Sequence, residues 1–495
     1  MNFEDRGSFI ANRWVKGEGG ELRSLNPARE GEVVWQGLKA SAGQAESAVA
    51  AATRAFRGWS AQGLDARVDM LSRLGNVVDR RGEDLARAIT MEMGKPIREA
   101  RGEARSLVAK VKASIEGQRR LPDFALPGAP GSAVWRPHGV MAVIGPYNYP
   151  IHLMHTHVVP ALLAGNTVVV KPSRITPLSG QIYAEIMAEV GLPDGVFNLL
   201  VGTRDVGGVL VAHPDVQGVA FTGSWEGGRR IMETCLDQPR KLLALEMGGK
   251  NLAVVLEDAH IPQVVHELVL GACLTAGQRC TATSRAVVHQ AVAEPLFERL
   301  SEAFSRIKPG DPMEDGTLMG PLATMEARDW FLRELSMHEA DGLKALQKSD
   351  PVEGGAVVTP SLHHVEELSE NSRRYLGTEF FAPNLALQVV GDDESALNLC
   401  QESAFGLSMS VFTADQQRFE QFVHDAPWGI FNWNRSTNNA SGLLPFGGLG
   451  FSGNHRSAGS TSALYCSRPV AVLEKGHGVF EPDPVFGPVL GGLLD

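Results

Sequence analysis

The chain has 495 residues, 43% of them hydrophobic and 21% charged, the balance of a soluble globular protein and too long for one ordinary core, so two or three domains are expected. A net charge of −11 without any Lys/Arg run excludes nucleic acid and anionic membrane as partners. The five cysteines, Cys235, Cys273, Cys280, Cys400 and Cys466, are odd in number and form no CxxC pair, which excludes a disulfide framework and a structural zinc site.

The N-terminal MNFEDRGSFIANRW has early acids and no apolar core, so no secretory signal is expected. Residues 45–120 carry helical spacing in AESAVAAATRAFRGW and ARVDMLSRLGNVVDRRGEDLARAITMEMG, each with an apolar stripe and charged faces. GQRRLPDFALPGAPGSAVWRP then interrupts with four prolines and reads as an extended excursion from the core. After residue 133 the runs GVMAVIG, NTVVVKP, GVFNLLVG and GVAFTGS read as strands, with helix-like LSGQIYAEIMAEVG among them. This alternation predicts parallel α/β layering. A second alternating block follows Glu246: NLAVVLED, a helix to Gly277, the strand RAVVHQ, and the helix EPLFERLSEAFSRI. SALYCSRPVAVLEK reads as a further strand suited, like the excursion, to oligomer contacts. The longest apolar stretches, such as HVVPALLAGNTVVV, are broken by Pro, Gly and Asn before the roughly 18 residues of a membrane span. A cytoplasmic protein is expected.

Several motifs carry chemistry. GPYNYP follows the strand GVMAVI, and ligands of parallel sheets lie beyond the carboxyl ends of strands. Asn148 there either donates its amide to a developing oxyanion or satisfies turn backbone. In KPSRITP, Lys171 either meets a nucleotide or, taken alone, is a solvated surface lysine. FTGSWEGG places Gly223 and Ser224 at a strand-to-helix turn, where backbone N–H groups can approach phosphate. LEMGGK puts Glu246 in an apolar stretch, where desolvation suits a base near neutral pH; a salt-bridged structural Glu is the alternative. TAGQRCTATS holds Cys280 as a nucleophile or an inert thiol. HLMHTH (His152, His155, His157) reads as helix surface or core contacts, since its spacing does not gather a ligand set on one helical face and no metal is expected. FGGLGFSG has the G-x-G-x-x-G spacing at Gly448, Gly450 and Gly453, but no preceding strand or βαβ unit, so it is rejected as a phosphate loop.

GPYNYP, KPS, FTGS, LEMGGK, GQRC, TEFFAP and PFGGLGFSG occur in this order. Together they resemble the NAD(P)-dependent aldehyde dehydrogenase superfamily from about residue 20 to residue 475. EVVWQG and the tail NWNRSTNNASGLLPFGGLGFSGNHR, followed by LYC, look most like the succinylglutamate-semialdehyde dehydrogenases of arginine catabolism. The resemblance implies an α/β fold with a Rossmann-type coenzyme domain (1–120 and 140–247), an α/β catalytic domain (248–455) and oligomerisation strands (121–139 and 456–480). It implies Cys280 as nucleophile, Glu246 as general base and Asn148 as oxyanion donor. It places the adenosine side at Lys171, with Ser173 and Arg174 beside it, the pyrophosphate and nicotinamide past Gly223 and Ser224, and the nicotinamide ribose at Glu379 with Phe381 against the ring. NAD is the implied coenzyme, with NADP also possible; a homodimer or homotetramer is implied.

The implied substrate is N-succinyl-L-glutamate 5-semialdehyde, with Tyr149, Arg279, Arg435 and Arg456 as candidate contacts, the arginines because their guanidinium forks suit carboxylates. Other semialdehydes, aliphatic aldehydes, a coenzyme A-acylating variant and a non-catalytic protein reusing the fold stay open. The sequence departs from the family pattern at Arg174, where Glu is usual, at Trp225, where a smaller residue is usual, in TEFFAP for E-E-x-F-G-P, and in RSTNNASG.

Overall fold

The computed structural model describes residues 5–125, 130–481 and 483–493; residues 1–4 of the expected coenzyme domain and 126–129 of the excursion fall outside them. Two seven-stranded sheets organise the chain. The first runs in the order Leu242–Met247, Val216–Gly223, Val140–Ile144, Thr167–Lys171, Phe197–Leu199, Ser8–Ile10 and Arg13–Val15. Its first five strands are parallel, and the N-terminal hairpin adds an antiparallel edge.

Every residue of Val140–Ile144 and Thr167–Lys171 is buried, as expected when helices cover both faces of a parallel sheet. The period-two alternation then sorts side chains into two cores. Met141, Val143, Val168 and Val170 join the helices Leu74–Met93, Ile97–Arg119, His152–Ala164 and Pro177–Val190. Val140, Ala142, Ile144 and Val169 join the alanine-rich face of Ala42–Ser60.

The second sheet runs Lys344–Gln347, Ser361–His364, Asn384–Val390, Thr283–His289, Asn251–Val255, Ser408–Phe412 and Ile430–Trp433. It is parallel except at its first strand. Ala253 and Val255 face one core and Leu252 and Val254 the other. A separate antiparallel ribbon pairs Gly131–Pro137 with Ser467–Leu473, Val134 opposite Val470.

The expected long helix of ARVDMLSRLGNVVDRR divides at Arg73 into Leu64–Ser72 and Leu74–Met93. The latter ends at Gly94, whose φ of 77° supplies the left-handed cap that glycine favours. SALYCSRPVAVLEK is not one strand: Ser462–Cys466 is a helical turn packed against His152–Ala164, and the strand begins at Ser467. Among the described residues, no helix is long and apolar enough to cross a membrane.

The two main sheets meet in opposite senses. The carboxyl ends of the first sheet's strands lead into Asn148, Lys171, Gly223 and Glu246, whereas the amino ends of the second sheet's strands follow Lys250, Cys280 and Glu379. The candidate site lies where these ends face each other.

Candidate active site

The loop carrying Cys280 follows the helix Ile261–Cys273 through three consecutive left-handed residues: Thr275 (φ 53°), Ala276 (φ 52°) and Gly277 (φ 69°). Two of these are not glycine, and such strain persists only where the surroundings over-determine it. Glu99 supplies one restraint, accepting from the Thr275 hydroxyl at 2.7 Å and the Thr275 N–H at 3.3 Å. Gln278 supplies another, accepting from Ala323 N–H at 2.9 Å and donating to the Thr275 and Pro321 carbonyls. The Asn251 amide then donates to the Cys280 carbonyl at 2.7 Å.

Cys280 is partly exposed, whereas the other four cysteines are buried. Burial pushes its thiol up to about 12, aided by the charges of Glu246 and Glu379 and opposed by Arg279. The resting thiol is therefore protonated, and adding it to a carbonyl requires a base to take the proton.

Asn148 is 3% exposed, and its Nδ2 donates at 2.9 Å to the carbonyl of Gln278, two residues before Cys280. Glu103 fixes the loop that carries Asn148: it accepts from the N–H groups of Ile151 and His152, both at 3.1 Å, and from Lys95 Nζ at 2.6 Å. Lys95 also sits over the Tyr149 ring at 3.3 Å. The Arg279 guanidinium lies 5.3 Å from the same ring and pairs with Glu99 at 2.6 Å.

Glu246 is the last residue but one of the strand Leu242–Met247; among the described residues it has no salt bridge and its Oε2 has no hydrogen-bond partner. Burial raises its carboxyl well above the usual carboxylate range. The glycine-rich tail encloses it. Glu246 forms an isolated bridge with Gly453, Met247 N–H donates to Ser452 O at 2.8 Å, and a Cβ on Gly447 would come within 2.9 Å of Glu246 Oε1. FGGLGFSG thus packs around a carboxylate. A cavity of about 280 Å³ opens beside Glu246, with Ser106, Lys110, His152, Thr156 and Thr222 in its wall.

On the opposite side, Lys171 is 6% exposed, donating at 2.8 Å to Pro172 O and at 3.3 Å to Gly202 O. The solvated-surface reading of this lysine is therefore corrected: the strand it ends is buried throughout, and burial lowers its ammonium to about 8. Ser173 accepts from Ile175 N–H within the following turn, and Arg174 is exposed. Ser224 caps the helix Trp225–Thr234 by accepting from Gly227 N–H at 3.3 Å. A Cβ on Gly227 would come within 2.7 Å of the tip of the Phe221 ring, so the ring packs directly against the bare glycine backbone. Trp225 stacks on Phe451 with centroids 4.3 Å apart. Glu379 accepts from Gly249 N–H at 2.6 Å and is raised by burial to about 7. Phe381, at φ 51°, meets Tyr147 edge-on at 6.0 Å.

The proposed substrate contacts fare differently. Arg279 is committed to Glu99 and Thr275, and Tyr149 to Lys95 and Arg279; neither lines the cavity. Arg435 is exposed and donates to Asn439 at 3.1 Å, and Arg456 is exposed; they too stand outside the cavity. The three histidines of HLMHTH lie on the helix His152–Ala164, with His155 and His157 buried. His155 bonds Tyr183 and Leu107, and His157 bonds Tyr465 and Thr222.

Sequence reasoning missed Glu99, Glu103, Ser106 and Lys110, which fall on one face of Ile97–Arg119 by helical periodicity. A signal was present: Glu103 and Lys110 interrupt the apolar stripe of Ala100, Ala104, Leu107 and Val111.

The aldehyde dehydrogenase family profile matches residues 14–472. The chain is 40% identical over 472 residues to an N-succinylglutamate 5-semialdehyde dehydrogenase of Ectopseudomonas mendocina, covering 94% of this chain and 96% of the relative. It is also 40% identical over 477 residues to the protein of that name from Paraburkholderia xenovorans, covering 95% and 96%. The crystal structure of PnpE in complex with nicotinamide adenine dinucleotide superposes with a TM-score of 0.89 at 32% identity, covering 94% of this chain and 97% of that one.

Proposed function

The chain belongs to the aldehyde dehydrogenase family, and we propose that this NAD(P)-dependent enzyme oxidises N-succinylglutamate 5-semialdehyde to N-succinylglutamate in arginine catabolism. The relatives at 40% identity over nearly the whole chain support the substrate. The observation that carries the mechanism is the convergence of a partly exposed thiol, a buried amide donor and a buried carboxylate with a partnerless oxygen where the two sheets meet.

An aldehyde has no leaving group, so hydride leaves only after something adds. Cys280 adds through sulfur while its proton passes to water at its partly exposed position. The new oxyanion takes hydrogen bonds from Asn148 Nδ2 and the Cys280 N–H. Loss of hydride leaves a thioester on Cys280. Glu246, whose raised affinity for protons suits it to accept one, then takes a proton from the water that hydrolyses the thioester and passes it to the departing Cys280 sulfur as the acid leaves.

The chain fits a dinucleotide. Lys171 has a donor to spare beyond its two carbonyls for the adenosine ribose, with Ser173 and Arg174 beside it. Gly223 and Ser224 open a helix N-terminus to pyrophosphate. Glu379 would hold the nicotinamide ribose, with Phe381 against the ring. When bound, the coenzyme supplies the two-electron acceptor for the hydride.

The ribbon of Gly131–Pro137 and Ser467–Leu473, with Leu473 74% exposed, supports assembly as a homodimer or homotetramer through residues 121–139 and 456–480. The coenzyme domain comprises 1–120 and 140–247, and the catalytic domain 248–455. Five unpaired cysteines support a cytoplasmic setting.

The test is a panel of semialdehydes and alkyl aldehydes with NAD and NADP, followed by reduced-coenzyme absorbance. N-succinylglutamate 5-semialdehyde should give the highest kcat/KM, and Cys280→Ser should remove turnover while leaving coenzyme binding intact. A higher kcat/KM for betaine aldehyde or simple alkyl aldehydes refutes the substrate; loss of activity on replacing Cys273, with Cys280→Ser active, refutes the nucleophile.

A further inference from the structure

Four other buried lysines have visible engagements. Lys95 pairs with Glu103, and Lys171 and Lys241 donate to main-chain carbonyls. Lys250 Nζ has no hydrogen-bond partner among the described residues, but it lies 5.0 Å from the centroid of the Phe380 ring and feels the opposing charge of Glu379. Lys110 differs: it is 8% exposed, lines the cavity beside Glu246, and burial alone perturbs it, with no bond or opposing charge among the described residues. Its ammonium lies against Gly442, where an added Cβ would approach Nζ to 3.2 Å.

The rest of the wall supplies no competing cation. Burial depresses His152 well below its ordinary value and His157 to about 4, so both are neutral at pH 7. Ser106 commits its single proton to Glu103 O at 2.6 Å, so the 2.6 Å contact with His152 makes His152 Nδ1 the donor and leaves Nε2 an acceptor. Glu246 lines the same cavity, yet neither it nor Lys110 perturbs the other. A buried ammonium without a partner is costly, and a methionine of similar length would fill the same space without that cost.

We propose that Lys110 binds a carboxylate of the aldehyde substrate and thereby selects aldehydes whose far end is anionic. The inference rests on the aldehyde-oxidising reading of the Cys280 site and deepens it. One compact ammonium with three donors matches one carboxylate. At about 280 Å³ the cavity suits a short aliphatic chain.

Steady-state kinetics of wild type, Lys110→Met and Lys110→Arg on N-succinylglutamate 5-semialdehyde, succinate semialdehyde and pentanal test this. Lys110→Met should raise KM for the carboxylated aldehydes by about 30-fold or more, the cost of removing one partner of a buried charge pair, with kcat changed by less than about twofold. Its KM for pentanal should be unchanged or lower, and Lys110→Arg should recover part of the loss. Thermal unfolding without ligand guards against a merely structural role: Lys110→Met should melt no lower than wild type, and glutarate should raise the Tm of wild type but not of Lys110→Met. Equal losses on pentanal and the carboxylated aldehydes, or a lowered Tm without ligand, overturns the proposal. Succinate semialdehyde selected through Lys110 while N-succinylglutamate 5-semialdehyde is ignored sinks the substrate assignment and keeps the Lys110 site. N-succinylglutamate 5-semialdehyde turned over with a KM indifferent to Lys110→Met does the reverse.

Discussion

Replacing Glu103 with glutamine tests how the oxyanion donor is held. Glu103 and Lys95 are both fully buried at the side chain and 2.6 Å apart. The same carboxylate takes the two N–H groups that open the helix after Asn148. Glutamine keeps a single acceptor oxygen and leaves the Lys95 ammonium uncompensated. Desolvation already lowers Lys95, with Glu103 the chief opposing influence, so the variant must bury a bare charge or release a proton. Breaking such a pair costs about 3–5 kcal/mol. At roughly 2–4 °C per kcal/mol for a domain of this size, the melting temperature should fall by about 6–20 °C. A displacement of the Asn148 loop by about 1 Å should also lower kcat by about 100-fold. Differential scanning fluorimetry and initial rates measure both in one preparation. Lys95→Met combined with Glu103→Leu removes both charges and should recover much of the stability, but not kcat, because the two N–H groups still lack their carboxylate. A Glu103→Gln protein melting within about 1 °C of wild type, or a double mutant losing the sum of the single losses, would refute the coupling.

Glu246→Gln should still give a burst of about one NADH per site and then turn over about 10²–10⁴-fold more slowly than wild type, because deacylation lacks its base; disappearance of the burst with the fold intact means that Glu246 is needed at the addition step as well. The same substitution removes a charge that raises the Cys280 thiol, so the thiolate fraction at fixed pH should rise and iodoacetamide should alkylate Cys280 faster, with wild-type alkylation itself quickening as pH climbs; mass spectrometry showing no acceleration refutes that electrostatic coupling. Arg174→Glu should lower kcat/KM for NADP relative to NAD by about tenfold, or roughly 1.4 kcal/mol, by placing a negative charge near a 2′-phosphate; a wild type that ignores NADP and a variant with an unchanged ratio show that Arg174 takes no part in coenzyme choice.

The order of strands and helices was readable because the parallel strands are continuous apolar runs with glycine, proline or asparagine at their ends. NTVVVKP and NLAVVLED are buried along their whole strand lengths. The break at Arg73 was hidden by helical periodicity that continues on both sides of it. Cys280, Glu246 and Asn148 were legible as candidates because each lies at the end of a strand in a motif with its own chemistry, Glu246 and Asn148 at or just after a carboxyl end and Cys280 just before an amino end. The surroundings of the arginine candidates were not legible, for a different reason. A guanidinium's type says that it suits carboxylates, not whether a carboxylate of the chain has already taken it. Arg279 meets Glu99 across 180 positions of sequence, and no local pattern encodes that pairing.

The helix Ile97–Arg119 shows what such distant pairings accomplish. One of its faces reaches three parts of the site in succession. Glu99 holds the strained turn before Cys280, Glu103 holds the loop after Asn148, and Ser106 with Lys110 forms a wall of the cavity beside Glu246. A rigid helix fixes the spacing of these groups at 1.5 Å per residue, so nucleophile loop, oxyanion donor and cavity share a single ruler. Its charges divide by whether the chain satisfies them. Glu99 and Glu103 are saturated by hydrogen bonds and ion pairs, which makes them restraints on backbone. Lys110 has no hydrogen bond or ion pair among the described residues, and one oxygen of Glu246, in the wall of the same cavity, has no partner. Two such groups of opposite sign in one cavity define an axis, with the proton acceptor beside the thiol at one end and a seat for an anion at the other. An aldehyde carrying a remote carboxylate completes both, entering with its reacting carbon toward Cys280 and its charge toward Lys110.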